Sequence, residues 1–117
     1  MTIQEKAHDF MKKIQTTDLM EIAAKEDIKL MDDEFDLPEG MFMGIACVSH
    51  GYRYICIQRS LDPNKRQIAI ARAIALHILF LGEDNAAVPV MERETDEQQQ
   101  DIAAFAAALI SYSQVSA

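Results

Sequence analysis

The chain has 117 residues, half of them apolar and 26% charged, with three prolines and four glycines. That profile describes one globular unit able to bury about two thirds of its unfolded surface, and it excludes a disordered chain or a fold dependent on disulfides or metal. Nineteen acidic against eleven basic residues leave a formal charge of -8, which opposes extended contact with a phosphate backbone and argues against direct nucleic-acid binding.

Thr2 is placed to cap a first helix from Ile3 to Ile14, where Ala7, Phe10, Met11 and Ile14 recur at three- and four-residue spacing. Thr17 or Asp18 starts a second, short helix through Leu19, Met20, Ile22 and Ala23, and Ile28 to Met31 has room only for a short strand. Asp32, Asp33, Glu34 and Asp36, with Pro38 and Gly40, read as a loop whose charge run is a solvated surface. Met41 to Ser49 and Tyr52 to Gln58 are rich in strand formers, and His50-Gly51 between them suits a tight turn, so two antiparallel strands are expected.

Asp62 followed by Pro63 is a helix start, because the carboxylate can cap free amides and proline loses no needed donor in the first turn. From Ile68 to Leu81 almost no polar face remains apart from Arg72 and His77, so this helix should be central to the core, with Gly82 as its stop. The run is too short to cross hydrocarbon. Thr95 and Gln98 stand in capping-box spacing ahead of a last helix with Ile102, Phe105, Ala106 and Leu109 on one stripe. Helices before and after a small antiparallel sheet of about three strands, with one helix buried, give an α+β fold. No repeat, low-complexity tract or linker divides it, so a single domain over residues 1–117 is expected.

Cys47 and Cys56 fall in neighbouring strands, and two cysteines without a secretory leader read as reduced thiols of a cytoplasmic protein. Their apolar settings argue against a cysteine enzyme. His77 reads as a hydrogen-bonded core or boundary residue, His8 and His50 as surface residues. Tyr52 and Tyr54 alternate with Arg53 and suit a half-exposed hairpin face. Met31, Met41 and Met43 read as core filling, or as an adaptable binding surface.

Taken together, the order of elements, the hairpin strings Gly44 to Ser49 and Tyr52 to Gln58, the helix IAIARAIALHILF and the string from Asp101 to Ile110 carry a resemblance. The chain resembles the ImmA/IrrE family of metallopeptidase domains over most of its length. That resemblance implies a zincin-like fold in which the central helix carries HExxH and an acidic residue of the following helix completes a zinc site. Matching the apolar pattern puts Arg72 at the first histidine, Ala73 at the glutamate, Leu76 at the second histidine and Asp101 at the downstream ligand. A register one residue on makes His77 the second histidine but leaves Ala73 and Ile74 at the other two positions.

Two imidazoles one helical turn apart hold zinc, and the glutamate takes a proton from metal-bound water. Arginine has no lone pair to give a metal and does not deprotonate. No catalytic residue, metal or other cofactor is therefore assigned. An Arg72–Asp101 ion pair is expected where the zinc would lie, since a buried guanidinium needs a carboxylate. The functional expectation is a pseudo-peptidase of phage or mobile-element type that binds a protein partner, with a helix-turn-helix repressor the class the resemblance implies. Two alternatives stand beside it: a divergent zinc peptidase built on His77, Glu97 and Asp101, and a small structural or oligomeric subunit.

Overall fold

The computed structural model of the chain describes residues 2–31, 42–94 and 96–115. Thr2 caps α1 (Ile3–Ile14), its hydroxyl accepting the Glu5 amide at 3.1 Å. Asp18 caps α2 (Leu19–Lys25) by accepting the amides of Met20 at 2.8 Å and Glu21 at 3.4 Å. These caps satisfy donors that a helix start leaves unpaired. Next come β1 (Ile28–Met31), β2 (Gly44–Ser49), β3 (Tyr52–Ile57), α3 (Pro63–Leu79), β4 (Ala86–Val90) and α4 (Glu97–Val115).

The fold is α+β, but the sheet is neither three-stranded nor purely antiparallel. Its order is β1-β3-β2-β4, with β1 parallel to β3 and β2 antiparallel to both β3 and β4. The unexpected strand is β4, AAVPV, whose alanines and proline carry little strand preference. Pairing with β2 makes it a strand. His50 and Gly51 turn the β2–β3 hairpin with φ of 53° and 83°, the positive values that a two-residue turn of the right twist demands.

One contiguous core joins α1, α2, the inner sheet face, α3 and α4. Along β2 and β3 the inner residues are Ala46, Val48, Ile55 and Ile57, all buried, and α3 packs on them. The expected stripe of α4 is buried as read: Ile102, Phe105, Ala106 and Leu109, with Phe105 against Phe10 of α1. Gly44 is fixed by crowding, since a Cβ there would lie 2.4 Å from the Cys56 carbonyl oxygen.

Two helix boundaries differ from expectation. Asp62 caps α3 as read, its carboxylate accepting the Lys65 amide at 2.9 Å, but the helix ends at Leu79 rather than running to Gly82. The Phe80 and Leu81 amides both bond the Leu76 carbonyl, closing the last turn early. At the start of α4 the cap is Asp96, which accepts the Gln99 amide at 2.8 Å. Thr95 lies outside the described residues, as do the acidic segment Asp32 to Gly40 and Met41. Among the described residues no helix is long and apolar enough to cross a membrane.

Candidate functional site

Every residue of α3 from Ala69 to His77 is buried except Arg72, whose side chain is 14% exposed. The expected pairing with Asp101 does not form. Arg72 Nη1 donates to the carbonyls of Met91 at 2.8 Å and Glu92 at 3.0 Å, and Nη2 donates to Glu94 Oε1 at 2.9 Å. The guanidinium thus supplies donors to backbone carbonyls of the β4–α4 connection, and a carboxylate balances its charge. Glu94 was available in the sequence, but a loop has no periodicity by which to place it, whereas Asp101 had a helical offset.

Ala73 and Leu76, the other positions matched to the zinc site, are buried apolar residues at 0% and 1% exposure. Among the described residues no group of three or more His, Cys, Asp and Glu side chains converges, so His77, Glu97 and Asp101 are not brought together. His77 is 1% exposed and its Nε2 lies 2.8 Å from the Tyr54 carbonyl oxygen. A carbonyl only accepts, so Nε2 carries the proton. Burial holds the imidazole below its ordinary pKa, with the Tyr54 hydrogen bond opposing and the positive Arg53 adding to the effect. The neutral ring therefore leaves Nδ1 as a lone pair with no partner among the described residues.

Arg53 has a role that residue types alone did not reveal. It lies on the inner side of β3 and donates to the carbonyl of Glu26, after the last turn of α2, and to that of His77 in the last turn of α3, each at 3.0 Å. The Glu26 carboxylate stands 3.6 Å away. A cation there satisfies carbonyls that helix ends leave unpaired and opposes two helix dipoles together. Beside it an open cleft of about 950 Å³ is lined by Asp27, Lys29, Tyr52 and Glu83 among others. The guanidinium is already engaged with the protein.

The outer sheet face is the other notable surface. Strand alternation places Lys29 and Met31 of β1, Tyr52, Tyr54 and Cys56 of β3, Ile45 and Cys47 of β2, and Ala87 and Pro89 of β4 on it. None of these belongs to the core or packs against it. Tyr52 is 67% exposed and its ring lies 6.5 Å from that of Tyr54, as the alternation had suggested. Both cysteines are free and half-buried, at diagonal positions of the β2–β3 pair. Burial pushes both thiols above the ordinary value; the neighbouring Cys56 adds to the effect on Cys47, while the neighbouring Cys47 eases it on Cys56.

Of the remaining sequence candidates, Met43 is core and Met31 half-buried. His8 and His50 are exposed, His8 bonding the Tyr112 hydroxyl through Nδ1. No protein-family model, curated protein or solved structure matches the chain.

Proposed function

We propose that the chain is a non-catalytic binding protein, a zincin-like domain whose peptidase positions have been given over to structure and which acts by holding a protein partner. The observation that carries the reading is the engagement of Arg72 with Met91, Glu92 and Glu94. At the position that the ImmA/IrrE resemblance gives to a metal-binding imidazole, this chain has a cation that ties α3 to the β4–α4 connection. The adjacent positions, Ala73 and Leu76, fill core.

Support for binding comes from the outer sheet face, where tyrosines, a methionine and aliphatic residues lie together outside the core. Aromatic residues and methionine are enriched at protein interfaces. The charge of -8 favours a basic partner, and the resemblance names helix-turn-helix repressors as the class.

The test uses purified protein with elemental analysis, incubation with basic DNA-binding regulators, and binding measured at two salt concentrations. The expected result is no stoichiometric zinc, an intact regulator, and a complex that weakens as salt rises. Stoichiometric zinc accompanied by regulator cleavage would establish the divergent peptidase instead.

A further inference from the structure

We propose that Met31, Cys56 and Cys47 form a site for a thiophilic monovalent d10 cation, with Cu(I) the probe of choice. In the parallel β1–β3 pair Met31 stands opposite Cys56. In the antiparallel β2–β3 pair Cys56 stands opposite Ile45 and Cys47 opposite Tyr54, so the two cysteines are diagonal neighbours. Alternation puts all three sulfur side chains on the outer face, each half-buried, in one row across three strands. The site is separate from α3 and does not depend on the function proposed above.

The register distinguishes an ion from a disulfide. A disulfide needs Cα atoms within about 7 Å and Cβ atoms about 3.5–4.5 Å apart. Diagonal residues of an antiparallel pair sit about 7–8 Å apart, beyond the Cα separation that a disulfide spans without backbone movement, while their side chains rise from the same face within reach of one another. An inserted ion replaces one short S–S bond by two metal–sulfur bonds, each about 2.3 Å judged from zinc thiolates, and so spans the gap.

The donor set then selects the ion. Zinc takes four nitrogen, sulfur or oxygen ligands in structural sites, and among the described residues no third His, Cys, Asp or Glu joins the two thiols. Cu(I) accepts low coordination numbers and prefers thiolate and thioether sulfur, which Cys47, Cys56 and Met31 supply. On binding, each thiol loses its proton to solvent as its sulfur–copper bond forms, and the metal keeps its oxidation state. Two thiolates and one Cu(I) leave a single negative charge. Lys29, opposite Tyr54 on the same face, is placed to oppose it.

The experiment titrates the full chain under anaerobic conditions with Cu(I), supplied as its acetonitrile complex and competed by bicinchoninate. One equivalent is expected to bind per chain and to block alkylation of both cysteines by iodoacetamide. Loss of outer-shell partners alone costs 10–100-fold in metal affinity, so Cys47→Ser or Cys56→Ser should cost at least about a hundredfold and Met31→Leu about tenfold. The alkylation test uses the unaltered chain, so it reads the site even where a variant fails to fold. Equal alkylation with and without copper, or equal copper affinity of the folded serine variants, would overturn the proposal. So would a copper-dependent doubling of mass in sedimentation, which would place the ion between two chains. Ready conversion of the two thiols to an intrachain disulfide by oxidised glutathione would remove its geometric basis.

Discussion

The two faces of one sheet carry different work. In β3, Ile55 and Ile57 point inward and are fully buried against α3, while Tyr54 and Cys56, one residue away along the same strand, point outward and stay outside the core. Stability is concentrated on the inner side, leaving the outer side free to vary in chemistry at small structural cost.

Adjacent residues test this most directly. Ile55→Ala should cost about 2–5 kcal/mol in denaturant unfolding, the range for emptying a closed core position, whereas Cys56→Ser should cost about 1 kcal/mol or less. Equal losses would break the comparison. Gly44→Ala tests whether the two faces are joined by a rigid backbone. Its new methyl would meet the Cys56 carbonyl, and a loss of about 1–3 kcal/mol or more is expected from overpacking. A neutral result would show that β2 and β3 can separate locally.

The pH dependence of unfolding sharpens the inner side. His77 is held neutral in the fold, below its ordinary value of 6.5. As pH falls through that value, the unfolded chain takes up a proton that the folded chain refuses. The stability is therefore fully present above the unfolded value and is lost below it, at up to about 1.4 kcal/mol per pH unit for one proton. In His77→Leu the slope between pH 6.5 and 5 should shrink relative to the parent; an unchanged slope would assign the titration elsewhere. The smallest effect concerns Arg72. A double-mutant cycle of Arg72→Met with Glu94→Gln should give about 0.5–1 kcal/mol of coupling, because Glu94 is partly solvated, and the cycle with Asp101→Asn should give none. Coupling to Asp101 would restore the pairing expected from the sequence.

What the sequence made legible was local. Thr2, Asp18 and Asp62 mark helix starts because a cap is set by a few neighbouring atoms, and the burial of α3 follows from its lack of a polar face. The parallel placement of β1 beside β3 and the recruitment of AAVPV as a strand depend on partners distant in the chain. The same holds for the candidate sites. Cys47 and Cys56 could be read as neighbours from a hairpin, but Met31 joins them only through the parallel pairing. Arg72 could be read as a buried cation in need of partners, but not as one that would find them among loop carbonyls.

Pro89 has a consequence for assembly. The Val90 carbonyl accepts the Met43 amide at 2.8 Å, so the polar groups of Val90 turn toward the sheet and the nitrogen of Pro89 turns to the free margin of β4. That margin lacks a donor at the fourth residue of a five-residue strand. A foreign strand arriving there would find a broken ladder, so this side of the molecule is guarded against runaway sheet extension and fibre growth.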